Sequence, residues 1–442
     1  MDLMNKEPLT LRFDVEANPV AVFKQDQKLV AAINKLYING RERNSNSLLL
    51  PGRKLDFGEV QQLLKQTGEG NEPLRESELL SKVLHEERKS IIKKIEDILG
   101  NINGTAGTNQ VPKLILRNQR LWSNCIYDLD RVTLKSFNDA KKTTVVYSDT
   151  GDRSRFNAIV FVLSKVHELL TKNLTVTRRE LFYQNVARFR NQSNLDVAVR
   201  DVCCLLETPP WGLGVIATAK GLVAGPLLLK CRDGSTIDCM TTGGTLLPQD
   251  ITGIQEVKSS AKYILVVEKD AIFQKLLDEG ALIRLGPVII LTGKGYPDVC
   301  TRQLLCRLVK ELRVKALALV DYDPHGYEIF LTYKYGSLAQ SHLSSSLACS
   351  SLLLLGTRHS DLMTLVPQEA RLMLTALDKR KLASLMKRPY LDNVVGSSIK
   401  AELQAMLQSG VKVEIEAVAP TAAALCDSYI PSKIIQADFL GL

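Results

Sequence analysis

Apolar positions along the chain follow two patterns: helix-spaced stripes in the first half and unbroken apolar runs in the second. Between Gln25 and Tyr37, Leu29, Ile33 and Leu36 fall on one face and predict an amphipathic helix. Gly40 to Asp56 reads as a loop closed by Pro51-Gly52. Over Ser81–Leu99, Val83, Leu84, Ile91, Ile92, Ile95 and Ile98 keep helical spacing, with lysines and glutamates on the other face. Gly100 and Gly104 are expected to end that helix and to open a flexible linker up to Gln110. Such helices either pack on their own domain or dock a partner.

A wide stripe of Ile159, Val160, Val162, Leu163, Val166, Leu169 and Leu170 predicts a helix over Ser154–Asn173. Thr177, with Glu180 three positions on, has capping-box spacing and opens a second helix at Arg178-Arg179-Glu180-Leu181-Phe182-Tyr183. A third is expected from about Leu195 to Leu206. Trp211–Ala217 and Gly221–Gly225 read as two strands joined by a turn that carries Lys220. Three helices followed by a β-wing describe a winged helix, a duplex-binding module whose wing lysine would contact phosphate. Alternatively, Lys220 is a solvated turn residue.

Beyond residue 260 the pattern changes. Lys262–Val267, Pro287–Leu291 and Ala316–Val320 are continuous apolar runs, separated by helical stretches at Ile272–Glu279 and around Leu304–Leu312. Runs without alternation suit strands buried on both faces, and the β-α-β-α-β order predicts a parallel sheet with right-handed crossovers. Glu268, Asp321 and Asp323 then stand at the carboxyl ends of strands, where such sheets bind ligands. Three hard oxygen donors at one edge make a Mg²⁺ site; the plain alternative is a solvated acidic turn. A further run, Leu352–Leu355, leads into Gly356-Thr357-Arg358. The clusters Lys379-Arg380-Lys381 and Lys387-Arg388 read as a solvated helix face or a nuclear signal.

Composition narrows the partners. Hydrophobic residues at 45% and charged ones at 24% are ordinary for a globular protein, and 442 residues suggest two or three domains. A net charge of +9 favours polyanions, nucleic acid before acidic membrane. The nine cysteines include no Cys-x-x-Cys pair, and the five histidines show no zinc spacing, which points to a reducing, intracellular setting. The start has no apolar signal core, and no run reaches transmembrane length, so no membrane partner is expected. Tyr183, with Arg178 and Arg179 before it and Arg188, Arg190 and Arg200 after it, is either a half-buried packing residue or a nucleophile toward a phosphate held by guanidinium groups.

Several motifs in a fixed order resemble one family: Arg179 to Tyr183, Ala219-Lys220-Gly221, Val267-Glu268-Lys269, Gly293-Lys294-Gly295-Tyr296-Pro297-Asp298, Asp321-Tyr322-Asp323-Pro324-His325-Gly326 and Leu355-Gly356-x-Arg358. Across roughly residues 140 to 440 the chain resembles the A subunit of topoisomerase VI and its meiotic relatives, in which a winged helix precedes a Toprim domain. The implied fold is multi-domain α/β. It has a helical extension (1–110), a winged-helix domain (111–250) and a Toprim domain with a carboxyl-terminal extension (251–442). The resemblance implies a transesterase that makes programmed meiotic double-strand breaks, with Tyr183 becoming linked to the 5′ end and Arg179 assisting. It further implies Mg²⁺ on Glu268, Asp321 and Asp323, and DNA contacts from Lys220, Tyr296 and Arg358. Partners are double-stranded DNA, a second copy and a protein related to the B subunit of topoisomerase VI; the location is the nucleus, on chromosomes.

Two positions depart from the family pattern. Phe182 stands where a first tyrosine is common, leaving Tyr183 as the candidate, and Thr357-Arg358-His359-Ser360-Asp361 lacks a proline usual after the arginine. There is no Gly-rich phosphate loop with a following Lys-[Ser/Thr], so an ATPase would be a separate chain. The rival readings are a non-catalytic DNA-binding scaffold and a true topoisomerase VI A subunit, which reseals its cuts.

Overall fold

The structure is a computed structural model. It describes residues 73–106, 110–119, 121–128, 131–147, 150–419 and 421–441, with only the backbone of 73–85, 106, 128, 150 and 151. The helix expected at Gln25–Tyr37 and the loop at Gly40–Asp56 lie outside these residues. Everything from Ile92 onward belongs to one unit.

The helix expected over Ser81–Leu99 is longer, α1 (Pro73–Ala106). Gly100 and Gly104 do not end it. Both sit where a side chain would meet nothing within 4 Å, and an exposed glycine costs a helix only about 1 kcal/mol relative to alanine. Strand β1 (Lys113–Arg117) pairs antiparallel with β4 (Lys142–Val146), and β2 (Cys125–Asp128) pairs with β3 (Arg131–Leu134). The buried Asn124 side chain joins the two pairs. Its amide donates to the carbonyls of Asn118 (2.8 Å) and Lys141 (2.9 Å), and its oxygen accepts from the Lys141 N–H (2.8 Å).

Helix α2 (Thr150–Lys172) buries Ile159, Val162, Leu163 and Val166 on the expected stripe. Strand β5 (Val176–Thr177) follows, and Thr177 caps α3 (Arg178–Tyr183) by accepting the Glu180 N–H at 3.1 Å. Only this half of the expected capping box forms, because the Glu180 carboxylate accepts the Gln184 amide at 3.2 Å instead. A short α4 (Val186–Phe189) leads to α5 (Gln192–Leu206), which starts earlier than expected because Asn191 caps it. Helices α2 and α3 both pack on α5.

The two strands expected to form a hairpin around Lys220 do not pair with each other. Strand β6 (Val215–Ile216) runs parallel to β5, whereas β7 (Leu222–Ala224) enters another sheet. All three residues of β7 are buried, which a solvated wing strand could not satisfy. Glycines permit this docking: a Cβ on Gly225 would lie 2.3 Å from the Val288 carbonyl oxygen, and one on Gly221 2.2 Å from Thr301 Oγ1. Strands β8 (Leu227–Cys231), β9 (Thr236–Asp238) and β11 (Ile254–Ser259) form a separate antiparallel sheet.

The larger sheet has six strands in the order β10-β7-β13-β12-β14-β15, with β10 at Thr245–Leu246, β12 at Tyr263–Val267, β13 at Val288–Thr292, β14 at Lys315–Leu319 and β15 at Leu352–Gly356. Strands β12 to β15 are mutually parallel, and β7 runs antiparallel to β13. Every residue of β12, β13 and β15 is buried, as the unbroken runs require. Val267 pairs with both Thr292 and Leu319, so the carboxyl ends of β12, β13 and β14 come level. The connecting helices are α6 (Asp270–Asp278), α7 (Val299–Leu312) and α8 (Pro324–Tyr335). After β15 come α9 (His359–Leu365), α10 (Ala376–Met386) and α11 (Val394–Ser409). Among the described residues no helix is long and apolar enough to cross a membrane. All nine cysteines are free thiols.

Candidate active site

Tyr183 is the last residue of α3 and is 72% exposed. The helix beneath it is firmly held: Leu181 is fully buried, and the Asn185 amide donates to the Leu181 carbonyl at 3.0 Å. Arg179, also exposed, lies four residues earlier and therefore one turn down on the same face. Neither side chain makes a hydrogen bond or ion pair among the described residues. The neighbouring arginines are otherwise engaged: Arg178 faces Asp196 at 3.8 Å, and Arg188 lies over the Phe161 ring at 4.5 Å. The structure thus presents a phenol and a guanidinium to solvent from one rigid turn.

The acidic residues meet at the level carboxyl ends of β12 and β14. One Glu268 oxygen accepts the Asp321 N–H at 2.8 Å. Asp321 Oδ1 accepts the Ile415 N–H at 2.9 Å, and its Oδ2 faces the Lys269 ammonium at 3.0 Å. Asp323 caps α8 by accepting the Gly326 N–H at 2.6 Å. Gly326 leaves room for this convergence, since a Cβ there would lie 2.8 Å from Glu268 Oε2 and 2.5 Å from the Asp321 carbonyl oxygen. Burial, reinforced by the Asp321 and Asp323 charges, pushes the Glu268 carboxyl up to about 8. Burial also raises Asp321, to about 6, against the pull of the Ile415 N–H and Lys269. Although burial works the other way, Asp321 and Glu416 hold the Lys269 ammonium above its ordinary value.

Among the described residues, no group of three or more His, Cys, Asp or Glu side chains is placed to hold a metal ion. The donor set is still of the chemical kind that a small hard cation takes. It is all oxygen and carries surplus negative charge, and one oxygen each of Glu268 and Asp323 has no assigned partner among the described residues. The Lys269 ammonium supplies the local positive charge. It also reaches Glu416 at 3.1 Å and Glu414 at 3.4 Å. Those two glutamates escape sequence reasoning because they come from a segment more than 140 positions away, brought alongside by the backbone bridge between Tyr322 and Val413.

Of the three expected DNA contacts, two are brought together. The Lys220 N–H donates to Asp298 Oδ2 at 2.8 Å, and its exposed ammonium reaches the Lys294 carbonyl at 3.4 Å. Asp298 uses its other oxygen to cap α7 through the Thr301 N–H at 2.8 Å, so one carboxylate fixes both the Lys220 turn and the loop after β13. That loop carries Tyr296, 42% exposed, and is tied to the acidic edge by the Gly295 N–H donating to the Glu268 carbonyl at 2.8 Å. The Tyr296 hydroxyl donates to Glu328, which also pairs with Lys381 and Arg388. The basic clusters are therefore not a purely solvated face; two of their members support Tyr296. Arg358, after β15, is engaged within the chain. It is 7% exposed and its guanidinium pairs with Asp438, though its Nε has no partner among the described residues.

Residues 263–434 match the family model for the Toprim domain shared by the topoisomerase 6 A subunit and Spo11, and residues 154–215 match "Type IIB DNA topoisomerase". The mouse protein named "Meiotic recombination protein SPO11" is 34% identical over 347 residues, 78% of this chain and 87% of the relative. "Meiotic recombination protein W68" of Drosophila melanogaster is 37% identical over 300 residues, 67% of this chain and 87% of the relative. The A subunit of DNA topoisomerase 6 from Arabidopsis thaliana is 35% identical over 327 residues, covering 73% of this chain and 75% of the relative. The sheet with the acidic edge is a Toprim domain, and the chain belongs to the Spo11 and topoisomerase 6 A-subunit family of DNA-cleaving enzymes.

Proposed function

We propose that this chain makes the double-strand breaks that start meiotic recombination, cutting DNA by transesterification at Tyr183. The observation that carries this reading is the exposed Tyr183 hydroxyl at the end of a capped helix, with Arg179 one turn below. In the reaction the Tyr183 hydroxyl oxygen attacks a backbone phosphorus. The new O–P bond replaces the bond to the 3′ oxygen, which leaves as a free hydroxyl while the protein stays linked to the 5′ phosphate. A free tyrosine ionises near pH 10, so the attacking oxygen needs a cation beside it; Arg179 fills that role. Glu268, Asp321 and Asp323 would hold Mg²⁺, whose chemistry there is to offset phosphate charge and orient the sugar oxygen. Lys220 contacts phosphate and Tyr296 packs against the sugar or the groove edge; Arg358 would join them where DNA draws its guanidinium away from Asp438.

The finer architecture belongs to the same reading. Helices α2, α3 and α5 act as a winged-helix core within residues 111–250. Residues 251–442 form the metal-binding domain with its extension, although β7 and β10 enter its sheet from before that boundary. The partner-docking extension expected over residues 1–110 lies outside the described residues up to position 72; its described part is α1. One tyrosine cuts one strand, so a double-strand break takes two copies, working in the nucleus on chromosomes. Any ATP hydrolysis belongs to a separate chain related to the B subunit of topoisomerase VI. A second reading, a topoisomerase component that reseals its cuts, draws on the 35% identity to the Arabidopsis protein.

The test is to trap the protein on DNA and identify the residue that carries the nucleotide. A phosphotyrosyl adduct at Tyr183 is expected; an adduct elsewhere would sink the proposal. Breaks that stay covalently capped in the presence of an ATPase partner favour the meiotic reading, and resealed breaks favour the other.

A further inference from the structure

Away from the acidic edge, β1, β4, α2, α5 and the turn at Leu338–Leu343 surround a cavity of about 150 Å³. Three guanidinium-bearing residues, Arg117, Arg155 and Arg200, line it, with Gln119 and Thr143 beside them and Asp201 as the one carboxylate of the lining. The charges do not balance. Arg155 is matched by Asp201 at 2.8 Å. The Arg117 guanidinium is engaged within the chain: it pairs with Glu207 at 3.0 Å and donates to the carbonyls of Lys135 (3.1 Å) and Cys204 (3.4 Å). Arg200 has no hydrogen bond or ion pair among the described residues. Gln119 is 8% exposed, and neither its amide nitrogen nor its amide oxygen finds a partner among them. An enclosed amide left wholly unpaired is rare in native proteins and marks a place where something else completes the hydrogen bonds.

We propose that this cavity is a binding site for a small tetrahedral oxyanion of the phosphate class, held by Arg200 and the Gln119 amide, with Arg117 adding its charge. Size agrees: about 150 Å³ is room enough for one small anion. Electrostatics agree as well. His342, on the Leu338–Leu343 turn, is half-buried, with its inaccessible Nδ1 unpartnered among the described residues, and desolvation together with the Arg117 and Arg200 charges presses it down to about 4. Guanidinium forks match the oxygens of such an anion. Because α5 also packs against α3, a bound anion would brace the helix pair that carries Tyr183. The site is separate from the acidic edge and does not depend on the reading of the chain as a break-forming enzyme.

Thermal unfolding of the full chain tests this, with inorganic phosphate titrated against chloride at constant ionic strength. A saturable rise in Tm is expected with phosphate and not with chloride. Phosphate also stabilises proteins without binding them, so the variants decide. Arg200→Gln, on a partly exposed helix face, should fold normally and lose the saturable rise. Gln119→Leu should raise the anion-free Tm by removing the unpaired amide, and should weaken phosphate binding several-fold. An equal rise in wild type and Arg200→Gln overturns the proposal. So does an absent phosphate effect combined with weaker DNA binding by Arg200→Gln, because Arg200 would then be part of a DNA surface.

Discussion

The side chains of Tyr183 and Arg179 leave α3 with no hydrogen bond or ion pair among the described residues, whereas Asp321 has both carboxylate oxygens engaged within the chain. Each region is rigid, but for a different reason. The end of α3 is held by its backbone cap and by the buried Leu181, which leaves its reactive groups free for something outside the molecule. The acidic edge is held by the side chains themselves: Glu268, Asp321 and Asp323 each fix a backbone N–H, and Lys269 offsets part of their charge. A group proposed to meet DNA is presented, and groups that would otherwise repel one another are clamped. Substitutions should therefore act on chemistry alone at the first region and on chemistry and stability together at the second.

The largest expected effect is at Tyr183. Tyr183→Phe should abolish covalent DNA complexes while changing stability by no more than about 0.5 kcal/mol, as for exposed sites generally. Covalent complexes persisting in this variant would break the comparison at its first term. Next comes Glu268→Gln, which keeps an acceptor for the Asp321 N–H and removes the carboxyl that a cation would ionise; it should keep the fold and lose the Mg²⁺ dependence of DNA binding, read by titrating Mg²⁺ in a binding assay. Lys269→Met should lower unfolding stability by about 1–3 kcal/mol without Mg²⁺, since Asp321 is left buried without its counter-charge. Added Mg²⁺ should recover part of that loss, and denaturant curves with and without the ion check it. An unchanged stability would mean that the edge is not clamped by charge.

Smaller effects sharpen the contrast. Lys220→Ala should weaken binding to all DNA sequences alike and reduce the salt slope by about one, because its exposed ammonium would meet phosphate and not a base. Thr177→Ala removes the cap of α3 and should cost about 1 kcal/mol, measured by chemical unfolding. Cleavage should fall with it if the cap positions Tyr183, and should stay unchanged if α5 alone holds the helix.

Much of this was legible along the chain. The stripe from Ile159 to Leu170 specified α2, Thr177 marked the start of α3, and the runs ending at Val267 and Leu319 placed Glu268 and Asp321 at the sheet's carboxyl edge. These features are local: helical or strand burial repeats every few residues, and a terminating polar residue shows where an element stops. Tertiary structure decided what periodicity does not record. Leu222–Ala224 reads equally well as a wing strand or a sheet strand, and only the close approach of Gly221 and Gly225 to α7 and β13 selects the sheet. Arg358 reads as a free phosphate ligand until Asp438 folds against it. The partners of Lys269 include Glu416, 147 positions away, and no local pattern encodes a charge pair at that distance, because its formation depends on which segments the packed core brings side by side.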